Sequence, residues 1–125
     1  MAYDNQVQSI TLPAAADLSA QQYRCLTVDS NGRAAVANAT ALAIGILQND
    51  PNAAGQAATV AYAGVSKAKA GGSITAGARV TADANGAVIA ATTAGDAVIG
   101  VALAGAASGD IIPVLINPFP FAALA

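Results

Sequence analysis

Leu26-Thr27-Val28-Asp29-Ser30-Asn31-Gly32 decides the fold, because Val80-Thr81-Ala82-Asp83-Ala84-Asn85-Gly86 repeats its message about 54 residues later. In both stretches a β-prone run ends in Asp, and Asn-Gly follows. Asn and Gly tolerate positive φ, so Asn-Gly between apolar runs is the strongest short hairpin signal. Each stretch predicts two strands joined by a tight turn. Residues 24–29 run out and 34–38 return; residues 79–83 run out and 87–91 return.

The match extends outward from the two turns. Ile44-Gly45-Ile46 corresponds to Ile99-Gly100-Val101, one residue out of step. Gly55-Gln56 corresponds to Gly109-Asp110, and Val60 to Val114. Two related halves follow, 18–63 and 72–117, joined by 64–71. Two copies are too few for a solenoid, which needs about three for stability. Two β units packed face to face, around a pseudo-two-fold, would cover the open edges and thin core of each. Further strands are expected at 43–48, 57–63, 65–70, 98–104 and 111–116. The runs 57–63 and 65–70 read as separate strands joined at Gly64, and Asn49-Asp50-Pro51-Asn52 reads as a turn. Apolar positions in 13–20 do not sustain a 3.6-residue period, so that stretch reads as a loop. The expected class is all-β: a small β-barrel or β-sandwich built from two related halves, with an extended N-terminal arm. Residues 1–17 form that arm or a first strand, 18–117 the β domain, and 118–125 a C-terminal tail.

Composition narrows the function. Charged residues are 10% of the 125, against roughly 25% in ordinary soluble proteins. The hydrophobic share is 55% with no Trp, and much of it is Ala, which buries little area at about 25 cal/mol per Å². A thin core and a weakly charged surface predict cover by copies of the chain or by a partner. Arg24, Arg33, Lys67, Lys69 and Arg79 are scattered, and the net charge is −2, so no nucleic-acid footprint is expected. The best uncharged windows, 34–48 and 111–125, fall short of the roughly 20 apolar residues of a spanning helix and are broken by Gly or Pro. No membrane span is expected. The opening MAYDNQVQSI has neither a basic nor an apolar leader region, so no signal peptide is expected.

Chemistry is hard to place on this chain. There is no His, which removes the commonest general base and metal ligand. All seven acidic residues are Asp, and most flank Gly, Asn or Pro. Carboxylates there bond their own backbone turns. No calcium-loop, dinucleotide or phosphate-loop spacing is present. Hydroxyls lack an activating base; Lys67 and Lys69, two apart, share one solvated strand face. Asn38-Ala39-Thr40 fits a glycosylation acceptor only by chance without a secretory route. Cys25 stands alone in an apolar run and reads as a small buried hydrophobe. The chain is expected to be no enzyme and to hold no cofactor or metal.

The order of features resembles one family. Asp17-Leu18-Ser19-Ala20-Gln21-Gln22-Tyr23-Arg24 precedes the first Val-Asp-x-Asn-Gly hairpin. Ala43-Ile44-Gly45-Ile46-Leu47-Gln48-Asn49-Asp50-Pro51 follows, then Gly55-Gln56-Ala57-Ala58-Thr59-Val60 and Gly64-Val65-Ser66-Lys67. Later come Ala76-Gly77 with Val80, then Ala97-Val98-Ile99-Gly100-Val101-Ala102-Leu103 and Ile111-Ile112-Pro113-Val114. From about Leu18 to Ile116 the chain resembles the capsid cement or head-decoration proteins of tailed phages. The resemblance implies a β-rich virion protein, made in the host cytoplasm. It implies binding to the major capsid protein on the outside of the expanded capsid, reinforcing junctions between capsomers. It also implies self-association, as a homotrimer or else a dimer.

The arm and tail lie beyond the resemblance, and their roles are inferred from residue type. An extended N-terminal segment can add a strand to a capsid edge. Val7, Ile10 and Leu12 are then the anchors, with Tyr3 as an aromatic contact; the alternative makes this segment the domain's own first strand. Phe119 and Phe121 sit between prolines and fit a neighbour's groove, or else cap the open end of their own barrel. Two other functions share the composition. A tail, baseplate or fibre protein has similar low charge and β repeats. A small carbohydrate- or ligand-binding β domain would need an aromatic platform, and Tyr3, Tyr23, Tyr62, Phe119 and Phe121 are dispersed. An unrecognised hydrolase would depend on its Asp residues.

Overall fold

One strand organises the molecule. In a computed structural model, which describes residues 7–39 and 42–116, Ala57–Lys69 runs unbroken for 13 residues as β5. Before it come β1 (Val7–Pro13), β2 (Cys25–Val28), β3 (Ala34–Val36) and β4 (Gly45–Leu47). After it come β6 (Arg79–Ala82), β7 (Val88–Ala90), β8 (Gly100–Ala102) and β9 (Ile111–Ile116). All nine lie in one curled antiparallel sheet, a half-barrel, in the order β3-β2-β4-β5-β9-β8-β6-β7 with β1 also on β5. The described residues contain no helix, so the fold is all-β.

The two halves therefore do not meet as separate stacked sheets. Gly64 was expected to divide two strands, yet β5 passes straight through it at φ 98°. Glycine reaches that backbone region without a Cβ penalty, so the strand continues, and the β1 ladder resumes after slipping past Tyr62 between Gln8 and Ser9. At Gly64 the strand pairs with Val7 of β1 and with Ile116 of β9. A strand residue has one neighbour on each edge, so β1 and β9 take opposite edges. β4 pairs at Val60 and Ala61, opposite β1. It therefore shares one edge of β5 with β9, one after the other.

The hydrogen bonds of the first half recur in the second. Leu26 pairs with Val36 and Gly45; Val80 pairs with Ala90 and Gly100. Leu47 pairs with Val60, and Ala102 with Val114. Each Asp turns its own hairpin. Asp29 Oδ1 accepts from the N–H groups of Asn31 and Arg33, both at 2.9 Å. Asp83 Oδ1 accepts from Asn85 and Ala87 at 2.8 and 3.0 Å. The recurrence takes in segments that the aligned residues leave out. Ala14 N–H donates to Gln56 C=O and Ala70 N–H to Asp110 C=O, both at 2.8 Å. Thus β1 corresponds to the C-terminal part of β5, and the repeating network spans 7–62 and 63–116.

Packing follows the same correspondence. A first-half cluster holds Leu18, Leu26, Leu47 and Val60 with three alanines, Ala14, Ala34 and Ala58. In the larger cluster Ile74, Val80, Ala102 and Val114 take the corresponding places. That cluster also takes in Cys25, Ile46 and Ala61 from the first half, so one continuous core crosses the seam between halves. Close backbone approach supports both units. A Cβ on Gly45 would run into the Ala61 carbonyl, and one on Gly100 into the Leu115 carbonyl. This is why Ile-Gly-hydrophobic appears in each half.

Two outcomes are expected. Gly45→Ala and Gly100→Ala should each cost at least about 3 kcal/mol, because backbone atoms must move. Gly77→Ala, strained only by its φ of 89° with open space around it, should cost about 1–2 kcal/mol; urea-unfolding midpoints compare them. Cys25 is fully buried. Burial, and secondarily the Asp83 carboxylate, push its thiol pKa up to about 12 from 9.0. The folded state holds the proton that the unfolded chain releases, so this group's stabilisation is complete below pH 9 and fades as pH rises toward 12. Cys25→Ala should flatten that part of the alkaline stability profile, and the native thiol should resist alkylation at pH 8.

Candidate functional site

The conformationally strained residue in this fold is Tyr23. Its φ is 68°, and it is the non-glycine residue held in the left-handed region among those described. The hydrogen-bond pattern shows why the position is unusual. Tyr23 N–H donates to Leu47 C=O at 2.8 Å, and Gly77 N–H donates to Ala102 C=O at 2.8 Å. The second half thus places glycine where the first places tyrosine. A side chain there costs about 1–2 kcal/mol. Two contacts accompany it: Tyr23 C=O accepts from Lys69 N–H at 2.9 Å, and Lys67 Nζ lies 5.8 Å from the ring centroid.

Beside this ring is a cleft of about 170 Å³ lined by Val7, Tyr23, Gln48, Val65, Lys67 and Pro113, with Ser66. A polar relay borders it. Gln22 Nε2 donates to Gln48 C=O, and Gln48 Nε2 donates to Ser66 Oγ, both at 2.8 Å. A second, more open cleft of about 410 Å³ lies where the halves meet, among Gln21, Arg24, Asn38 and Asn85. Arg24 Nη1 donates to Asn85 C=O at 2.9 Å, while its Nε is buried without a partner. In the smaller cleft Ser66 Oγ is engaged on both sides, accepting from Gln48 Nε2 at 2.8 Å and donating to Lys67 C=O at 2.9 Å. Asp83, Asp96 and Asp110 carboxylates accept from turn N–H groups. Ser19 does the same for Asp17, its side chain and then its backbone N–H holding that carboxyl below the usual range. Among the described residues no group of three or more Cys or Asp side chains is arranged to hold a metal ion. No described helix is long and apolar enough to cross a membrane.

The anchors expected from sequence fall in two classes. Val7, Ile10 and Leu12 lie on β1, which pairs with β5 from Val7↔Gly64 to Pro13↔Ala57. Val7 and Leu12 are half-buried, each packed against one of the two core clusters. Ile10 is exposed. Tyr3, Phe119 and Phe121 lie outside the described residues.

Sequence reasoning does not find the other exposed apolar side chains, Val28, Leu42, Tyr62, Leu103, Ile111 and Leu115. A signal for two of them exists. Every residue from Ile111 to Ile116 is apolar, so alternation along the strand must place apolar groups on both sheet faces. Ile112, Val114 and Ile116 enter the core; Ile111 and Leu115 face outward. Pro113 in the same strand ends the β8 ladder. It has no N–H to give, and only its carbonyl is engaged, by Leu103 N–H at 3.0 Å.

The described surface thus carries several large apolar side chains on its strands. Curated proteins contain no match to this chain. Among solved structures it is similar to the N base of head fiber gp8.5 from bacteriophage phi29. That likeness covers 90% of this chain and 96% of the other at 19% identity, with a TM-score of 0.70, and it is a likeness of fold. A family model described as phage cement protein matches residues 3–116. With every described strand inside that match, the chain belongs to the phage cement protein family and is a structural protein of the phage virion.

Proposed function

We propose that this protein binds the outer surface of the expanded phage capsid and stabilises the junctions between capsomers, acting as a homotrimer without catalysis. The observation that carries the reading is the cement-family match across residues 3–116. The chemistry of the surface agrees with it. A rivet needs a rigid body and complementary apolar contacts, and several copies acting together gain from effective concentration. On this reading Ile10, exposed on a strand held firmly to β5, contacts the major capsid protein. Tyr3, Phe119 and Phe121 add contact area from the two ends of the chain, and Val7 and Leu12 hold β1 in place.

A second reading has one observation in its favour. The fold shared with a head-fiber base suits a protein that seats a longer fibre on a head. Both readings place the protein on a head, whereas a tail or baseplate role does not.

The test is addition of purified protein to expanded heads that lack it. It should co-sediment with heads and raise their resistance to heat. Ile10→Asp, at an exposed site, should fold normally and lower head binding about tenfold or more, the loss of one well-packed apolar anchor. Failure of the unaltered protein to bind expanded heads, or its appearance only on tails, would overturn the proposal.

A further inference from the structure

The seam between the halves is not reciprocal. The second-half turn reaches the first half. Cys25 N–H donates to Gly86 C=O at 2.7 Å, and Arg24 donates to Asn85 C=O. The matching first-half turn reaches nothing comparable. A Cβ on Gly86 would touch Val36 and the Cys25 carbonyl, whereas one on Gly32 would have no atom within 4 Å. A pseudo-two-fold, as expected from sequence, would make both contacts. The halves are instead related head to tail, so one copy of the seam is closed and its two component faces recur uncovered.

Exposure marks both uncovered faces. Ala82, beside the docked turn, is 1% exposed; Val28 in the corresponding place is 42% exposed. Ala61, on the receiving face, is fully buried; Leu115 in its place is 46% exposed. Ile46 is fully buried there too, and its counterpart Val101 is only half-buried. Faces that are buried inside the chain at one position are apolar and bare at the other.

We propose that the chain associates head to tail with further copies of itself, repeating between molecules the seam that joins its own halves. The edge formed by Val28 and the Asp29–Gly32 turn of one copy packs on Arg79, Val101 and Leu115 of the next. Charge supports this occupant. Arg79 holds the place of Cys25, and Asp29 the place of Asp83. The repeated contact brings the Arg79 guanidinium toward the Asp29 carboxylate of the next copy. By the same correspondence Arg79 N–H meets Gly32 C=O of the next copy, as Cys25 N–H meets Gly86 C=O within the chain. One bond is not repeated: Lys69 N–H donates to Tyr23 C=O, and Pro13, in the place of Lys69, has no N–H. The contact between copies is therefore weaker than the internal seam. Being heterologous, it builds assemblies of three or more copies, a ring where the rotation closes, and not a two-fold dimer.

This inference stands without capsid binding and is measured without heads. Sedimentation of the full chain through a dilution series should show an oligomer of three or more copies that dissociates on dilution. Val28→Asp spoils one face and Leu115→Asp the other; both sites are exposed, and circular dichroism should stay that of the parent. Each variant alone should be monomeric. Mixed one to one, they should form a dimer that grows no further, because one sound face of each remains. Arg79→Glu should behave like Leu115→Asp, and Asp29→Asn, which keeps the turn's acceptor oxygen, should weaken association about tenfold. A chain that is monomeric at every concentration overturns the inference. So does an oligomer that survives both face variants, or a mixture that stays monomeric.

Discussion

Everything in this molecule hangs on the backbone of β5. Its N-terminal part is flanked by β1 and β4, and its C-terminal part by β9. The remaining strands reach the sheet only through β4 or β9. Neither half closes a core of useful size alone. The first-half cluster is small and partly alanine, and burial of such side chains contributes little per residue. Continuity of one strand compensates by making both halves parts of a single ladder and by laying Cys25, Ile46 and Ala61 against the second half's core. The close approach of β4 to β5 at Gly45, and of β8 to β9 at Gly100, brings the flanking strands near enough for such small side chains to fill the space.

The legible parts of the fold were those with local causes. Asp-x-Asn-Gly names its own hairpin, because the carboxylate caps N–H groups two and four residues on. Paired Ile-Gly-hydrophobic runs mark the strands that pass close to a neighbour. What stayed hidden was set by long-range pairing. Gly64 reads as a joint in sequence, and only the ladders on both sides show a strand running through it. The correspondence of β1 with the end of β5 carries almost no residue identity: Val7-Gln8-Ser9-Ile10-Thr11-Leu12-Pro13 against Ala63-Gly64-Val65-Ser66-Lys67-Ala68-Lys69. It is visible in hydrogen bonds alone. Tyr23 conceals its likeness to Gly77 in the same way, since the backbone conformation is shared and the side chain is not.

The surface was less legible than the fold. Sequence pointed to Val7, Ile10 and Leu12 as a group, but pairing with β5 leaves Ile10 outside and partly buries Val7 and Leu12. Val28 and Leu115 gave no signal singly, because an apolar residue in a strand is ordinarily assigned to the core. Their meaning came from comparison with Ala82 and Ala61, the small residues that fill the same places where the seam is closed. Low charge, absent His and carboxylates committed to turns are consistent with a virion protein whose chemistry is contact. The polar side chains mostly shape loops, and the apolar ones left outside are concentrated on strands, where the backbone holds them still.

The meeting of Val7 and Ile116 at Gly64 has a mechanical meaning. β1 and β9 are both antiparallel to β5, and they flank it from opposite sides. The chain therefore enters along β1 and leaves along β9 heading the same way, opposite to β5, so its two ends point away from each other along that strand. Tension applied between the two ends therefore slides β1 and β9 lengthwise against β5. Under such shear the rungs of both ladders resist together, whereas peeling would open them one at a time. A sheet threaded in this way is strong along β5 when it is pulled at Val7 and Ile116.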